Sequence, residues 1–417
     1  MNKLKLLFIT RHFPPVSYTA GVRAKNVAKY LALRGWDVTV LTVEPDKTYD
    51  QFIDSAALLD ELSRIGVRII RAKHKLRFLL RGQSIVAKVL RALSCRLLEI
   101  DPFIGWYPYA AKAVKGNRYD LIMATAPPFF SFILAYYLGK RTGIPYVLDY
   151  RDPWTLRPHG RNAKPWIRAL ERKVAARSSL ISIVSESWAY ILKETLHMDG
   201  KIYTISNGYD PEDVEGITPM KFTKPSLVYA GIFYPPKRSI TPIFRAMKEA
   251  SKRLPVEKQP EFHYFGAHED YVVREAEKVG IKDCVICHGV APRKTVFQAL
   301  KGAVLAPVIT SVLPEGDLLD KGIVTGKIFE ILNLKVPIML VAPHGSDARN
   351  VLIDSNAGEA FVGTDIKGMA DYIIRACKGE VRPTFEGREK YSWPRIVEKL
   401  DSLLRECLTK SAARYKM

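Results

Sequence analysis

The sequence predicts an α/β protein built on two doubly wound parallel sheets. Three observations predict it. Short β-rich runs alternate with helical segments, the pattern of a parallel sheet covered by helices on both faces. The rhythm breaks once, in "NGYDPEDVEGITPMKFTKPS", which carries Gly, Pro and acids without an apolar period and reads as a linker. Polar, glycine, proline and aromatic residues gather after the strands, at the edge where open α/β sheets bind ligands.

In order, the first half reads as strands "LKLLFI", "DVTVLT", "VRIIRA", "YDLIMAT", "PYVLDY", "SLISIVS" and "KIYTIS". A helix over Gly21 to Arg34, "FFSFILAYYLGKRTG" and "ESWAYILKETL" supply helices between them. The second half repeats the rhythm with "SLVYAG", "EFHYFGA", "CVICHG", "GAVLAPV", "VPIMLVA" and "GEAFVG". Its helices include "RSITPIFRAMKEASKRL" and "TGKIFEILNL", and a last helix runs from Trp393 to about Leu408. The expected domains are 1–220, 221–388, and a terminal helix over 389–417 that packs back on the first domain. Two such halves joined by a linker predict a cleft that closes by a hinge.

Composition fits a globular chain: 417 residues, 47% hydrophobic and 26% charged. Lys plus Arg is 64 against 43 Asp plus Glu, a net charge of +21 that attracts anionic partners. None of the usual RNA or DNA module signatures accompanies the charge, so nucleic acid is not an expected partner. The apolar run in "MNKLKLLFIT" is too short for a signal-peptide core, and no apolar stretch reaches the ~18 residues of a membrane span. The expected location is cytoplasmic, against a membrane surface. Five scattered cysteines make no disulfide framework, and the single CxxC, Cys284 and Cys287, lacks the second ligand pair of a zinc site. Both read as core thiols.

The chemistry-bearing residues stand at strand ends. Gly21 opens a helix after the first strand, where free N–H groups suit a phosphate, and Arg23 sits in that first turn. The motif of a dinucleotide site, GxGxxG, is missing there. Lys237 and Arg238 follow Pro235-Pro236 at the start of a helix, where a cation is unfavourable unless an anion is bound. In "TGKIFEIL", Lys327 and Glu330 project from one side of a helix start. Glu330 either accepts hydrogen bonds from the adjacent hydroxyls of a ribose or pairs with Lys327 and the helix dipole. "YVLDYRDPWT" leaves a buried strand and places Asp149, Arg151, Asp152 and Trp154 at its end.

Taken together, "FPPVSYTAGVRAKNVAKYLALRGWDVTVLT", "LDYRDPW", "IVSESWAYIL", "YTISNGYD", "VYAG" and "GKIFEILNLKVPIMLV" resemble the family-four glycosyltransferases of the GT-B fold. The resemblance implies two Rossmann-like domains facing a cleft and a nucleotide-sugar donor, UDP- or GDP-linked, as substrate rather than cofactor. It implies metal-independent transfer with retention of configuration to a glycan or lipid-linked acceptor. By position, Gly21 is the glycine near the donor diphosphate, with Arg23 and Asn207 beside it in the substrate-binding set. Lys237 or Arg238 grips the diphosphate, Gly326 and Lys327 lie near the phosphates, and Glu330 binds the ribose. The family's other acid, eight positions before Glu330, is replaced by Gly322. Asp149, Arg151 and Asp152 are the expected catalytic wall, with Trp154 under a sugar face or beneath the loop. Other readings are a GT-B nucleotide-sugar epimerase, a GT-B protein without catalysis, and a basic nucleic-acid-binding protein.

"KHKLRFLLRGQSIVAKVLRALSCRLL" holds seven cations and no acid. Val86, Val89, Leu90, Leu93 and Leu97 share one helical face, with Arg81, Lys88 and Arg91 roughly opposite. With Phe103, Trp106, Tyr107 and Tyr109, residues 73–109 predict docking on an anionic membrane surface.

Overall fold

The computed structural model describes residues 3–16, 19–45, 56–75, 84–91, 93, 102–156 and 163–414. The chain divides into a first unit, Met1–Ser206 with Trp393–Met417, and a second, Asn207–Ser392. Each is described by itself.

Seven parallel strands build the first unit: β1 (Lys5–Ile9), β2 (Asp37–Val43), β3 (Arg68–Ala72), β4 (Leu121–Ala126), β5 (Tyr146–Tyr150), β6 (Leu180–Ile183) and β7 (Ile202–Thr204). Their order is β3-β2-β1-β4-β5-β6-β7, a doubly wound sheet whose direction of winding reverses beside β1. Every residue of β4 and β5 is buried, as expected for central strands covered on both faces. The register sets Asp149 opposite Thr125 on β4 and opposite Ser182 on β6. Three side chains therefore emerge side by side on one face of the sheet.

The helix Thr19–Leu33 covers one face, and the terminal helix Trp393–Arg414 packs on it. Asp401 fixes that packing by accepting from Trp36 Nε1 at 2.7 Å and from Arg34 Nε at 2.9 Å. The terminal helix runs six residues past the end expected from sequence, and its apolar stripe, including Leu400, Leu404 and Cys407, is buried in the first unit's core.

The second unit has β8 (Ser226–Ala230), β9 (Glu261–Phe265), β10 (Val285–Cys287), β11 (Ala306–Ile309), β12 (Ile338–Val341) and β13 (Gly358–Phe361). They pair in parallel as β10-β9-β8 and β11-β12-β13, and a bridge between Leu227 and Leu305 carries the first set into the second. All thirteen strands read from the sequence are present. One apolar cluster gathers around Phe244 and Tyr372, another around Phe329 and Leu332.

The stretch read as a linker is instead built into the second unit, which begins at Asn207 rather than 221. Asp210 caps a short 3-10 turn, Asn333 Nδ2 donates to its carbonyl at 2.7 Å, and Met220 N donates to Gln298 O at 2.8 Å. Gly and Pro mark turns there without making the segment free. Cys284 and Cys287 are half-buried free thiols at and just before the edge strand β10, and Cys287 packs against the second unit's core; Cys95 lies outside the described residues.

Candidate functional site

β8 is followed by Gly231, whose φ of +128° few side chains tolerate. Beyond it, Tyr234 and Arg238 exchange backbone hydrogen bonds at 3.2 and 2.9 Å, so Pro235, Pro236 and Lys237 form the tip of a turn. The following helix starts at Thr241, and Lys237 and Arg238 therefore lie in the turn rather than at a helix start. The two cations part there. Lys237 Nζ sits 2.7 and 2.8 Å from the carboxylate oxygens of buried Asp320. Arg238 lies over the Tyr234 ring and donates from Nε to Thr310 O at 3.3 Å.

Lys327 comes to the same place from the first turn of the helix Gly326–Leu334. Its Nζ reaches Tyr229 Oη at 3.0 Å and occupies the space a Cβ on Gly231 would need. Burial and the neighbouring Arg238 charge push its ammonium down to about 8. Arg238 and Lys327 thus repel each other, and no carboxylate among the described residues lies within ion-pair distance of either. The amino end of this helix adds to the positive field, since Thr325 makes no side-chain cap.

One turn on, Glu330 faces Arg293 rather than Lys327. Arg293 Nη2 stands 3.4 Å from Glu330 Oε1 and 2.9 Å from Asp213 Oδ2. Burial raises the Glu330 carboxyl, and the Arg293 charge offsets part of that. Arg293 and Asp213 escaped sequence reasoning because they lie 37 and 117 residues from Glu330, and only the fold unites them. At the missing acid, Gly322 ends the short helix Leu318–Lys321, and the nearby Asp320 is engaged with Lys237. Asn207 is half-buried where the second unit begins.

In the first unit, Asp149 and Arg23 face each other instead of presenting themselves to a ligand. Asp149 Oδ1 accepts from Arg23 Nη2 and Ser182 Oγ, both at 2.7 Å. Oδ2 accepts from Arg23 Nε at 2.9 Å and Thr125 Oγ1 at 2.7 Å. Burial would raise this carboxyl, but Arg23 and the hydroxyl donors outweigh it and hold it below the usual range. Arg23 also donates to the carbonyls of Ser206 at 2.8 Å and Ile205 at 3.0 Å. All four acceptor positions of Asp149 and four of the five donors of Arg23 are engaged inside the unit.

Arg151 and Asp152 remain half-buried at the carboxyl edge. Arg151 donates to Pro127 O, its Nε is buried without a partner, and burial lowers its guanidinium to about 10. Trp154 packs beneath the loop, stacked on Phe129 with centroids 5.3 Å apart, and is buried, so it offers no face to a sugar. His12, not chosen from the sequence, joins Arg151: burial first, then the Arg151 and Arg11 charges, push its imidazole down to about 3. It is a neutral acceptor at neutral pH. The signal was present in "TRH", directly after the first strand. Gly21 lies in the first turn of its helix, and a Cβ there would meet Val16 O at 3.7 Å and His12 O at 3.8 Å, which is ordinary contact.

Two Rossmann-like units with parallel sheets define the GT-B class of folds. Residues 20–213 match the family model described as Glycosyltransferase Family 4. Sucrose-phosphate synthase from Thermosynechococcus elongatus shares the fold with a TM-score of 0.65 at 14% identity, covering 98% of this chain and 100% of that one. Anabaena HepE, solved with UDP and glucose, gives 0.62 at 14%, covering 97% and 100%. The lipopolysaccharide outer core galactosyltransferase WaaB gives 0.60 at 13%, covering 97% and 99%. No curated protein sequence matches the chain.

Proposed function

We propose that the chain is a retaining, metal-independent glycosyltransferase that moves a hexosyl group from a UDP- or GDP-sugar to a glycan or lipid-linked acceptor of polysaccharide biosynthesis. One observation carries the donor half of this reading. Arg238 and Lys327 repel each other with no carboxylate within ion-pair distance among the described residues, Glu330 acting on Lys327 only from further off, and a diphosphate would convert their repulsion into two charge-assisted contacts. Charge grows on the leaving diphosphate as the glycosidic bond breaks, so the same cations would lower that barrier. Gly326 would contribute a backbone donor at the helix end, and Glu330, steadied by Arg293, would accept from the ribose hydroxyls. In the first unit, Arg151, Asp152 and neutral His12 would meet sugar or acceptor, with Gly21 close to His12. The donor half is tested by thermal shift against UDP, GDP and ADP and their sugars. A nucleotide diphosphate should raise Tm, and Arg238→Ala should abolish the rise. A flat response to every nucleotide would end the reading.

Location follows from a second set of residues. In the helix Ile85–Arg91, Ile85, Val86 and Val89 are each more than half exposed. Leu93 and Ile104 are exposed as well. Among the described residues no helix is long and apolar enough to cross a membrane. The Leu90 side chain, Arg81 and Leu97 lie outside the described residues. Exposed apolar side chains in a stretch of sequence that holds seven cations suit an anionic bilayer interface, and we propose that the enzyme works on the cytoplasmic face of the membrane. Flotation with phosphatidylglycerol vesicles should carry the protein up, and phosphatidylcholine vesicles should not. Equal recovery from both would refute the docking.

A further inference from the structure

The opposite end of the first unit's sheet holds a cavity of about 800 Å3, among the loops that lead into β5, β6 and β7 and the terminal helix. The size is that of a small-molecule site. Asp149 and Arg151 stand at the other ends of these strands, so the cavity is separate from the groups assigned to sugar transfer.

Its walls combine three chemistries. Tyr136, Tyr146 and Tyr203 line it, with Tyr136 meeting Tyr146 edge to face at 6.4 Å. Such rings offer apolar faces and polar rims together. Ser179 and Ser411 add half-buried hydroxyls, while Ser178 is buried and donates to Ala175 O at 2.8 Å. Four cations face two acids. Two of the cations are already engaged: Lys410 with Glu406 at 2.6 Å, and Lys201 with the carbonyls of Ala175, Ala176 and Ser178 at 2.8, 3.0 and 3.1 Å. Lys140 and Arg177 are exposed and lie within ion-pair distance of no carboxylate among the described residues.

We propose that this cavity binds an anionic saccharide, a sugar ring carrying a phosphate or a carboxylate, at a site apart from the donor. Arg177 and Lys140 take the anion, Arg177 with the forked geometry that oxyanions favour. The half-buried rings of Tyr136 and Tyr203 take the sugar face, and Ser179 and Ser411 its hydroxyl groups. The inference does not rest on the donor reading, since no residue is shared.

The test is calorimetric titration of the full-length chain saturated with UDP, which occupies any diphosphate site. Glucose 6-phosphate represents a free sugar phosphate, and a heparin-derived octasaccharide represents a segment of acidic glycan. Glucose, maltooctaose and inorganic phosphate are the controls. At least one anionic saccharide should bind about tenfold or more tighter than every control, the size of one charge-assisted contact. The double variant Lys140→Glu, Arg177→Glu should lose that binding while its Tm and its UDP titration stay unchanged. Binding of the monosaccharide alone assigns the site to sugar phosphates, and binding of the octasaccharide alone assigns it to an acidic chain. The proposal fails if neither binds, if a control binds as tightly, or if the double variant binds as the parent does.

Discussion

Arg23 and Asp149 hold each other at two points, Nε to Oδ2 at 2.9 Å and Nη2 to Oδ1 at 2.7 Å, and neither side chain is more than 2% exposed. Thr125 and Ser182, placed on either side by strand register, take the remaining acceptor positions of the carboxylate. The carbonyls of Ile205 and Ser206 take further donors of the guanidinium, and Trp393 lies against its face. An acid at the end of "YVLDY" therefore closes the first unit's carboxyl edge from inside instead of working on a substrate.

Removing one partner leaves a buried charge uncompensated. Asp149→Ala should destabilise the protein by about 3–5 kcal/mol, whereas the double variant Arg23→Met, Asp149→Leu should lose less. Urea unfolding of the three proteins measures both. The sign with pH follows from the depressed carboxyl: its stabilisation is full above the unfolded value of 3.8 and is lost as pH falls toward the folded value. A stable Asp149→Ala protein with lost turnover would return Asp149 to the catalytic groups.

Glu171 runs the other way. It is buried, accepts from Thr155 Oγ1 at 2.5 Å, and is pushed by burial from 4.5 up to about 7. Ionising it in the folded state is unfavourable, so stability falls as pH rises from about 4.5 to 7 and stays lower above that. Glu171→Gln keeps an acceptor for Thr155 and carries no charge. It should exceed the parent by roughly 3 kcal/mol at pH 8 and by nothing at pH 4. Denaturant midpoints at the two pH values decide it; parallel pH profiles would show that Glu171 has an ordinary pKa.

The Arg238 and Lys327 pair makes a prediction that separates binding from folding. Each cation raises the energy of the other in the unliganded protein, so Arg238→Ala or Lys327→Ala should leave Tm unchanged or raise it slightly. The same variants should weaken UDP by about ten- to a hundredfold, the range for a charge-assisted contact. Lys237→Ala should instead lower Tm, because it strips Asp320 of its counter-charge. UDP affinity should also fall as pH rises through about 8, where Lys327 loses its proton. Calorimetric titrations at pH 7 and 9 measure this.

The fold was legible because its information is local. Alternation and turn residues marked each strand, and thirteen of them need only period and punctuation to be seen. The site was half legible for the same reason. Arg238, Lys327 and Glu330 stand at strand and helix ends, and position alone suggested them. Which cation is spent and which is available depends on partners distant in sequence: Asp320 for Lys237, Arg293 for Glu330, Asp149 for Arg23. His12 was passed over because "TRH" lies far in sequence from Arg151, and only the fold brings the two together. The linker reading failed on composition, since a polar Gly/Pro segment can be as firmly hydrogen-bonded as a helix.

Gly21 supplies a test in which stability and function should move in opposite directions. It sits in the first turn of Thr19–Leu33, and a methyl group there would touch His12 O and Val16 O only at ordinary distance. Packing therefore does not require glycine. Alanine is the better helix former by about 1 kcal/mol, so Gly21→Ala should raise stability by up to that amount. If the glycine leaves room for a sugar diphosphate or acceptor beside His12, the same methyl group should cut kcat/KM by about tenfold or more, through the positioning of reacting groups. Unfolding curves and kinetics on one preparation give both numbers. A variant that is more stable and fully active would show that Gly21 stands outside the site, and one that is less stable would show that the helix start is packed more tightly than these distances imply.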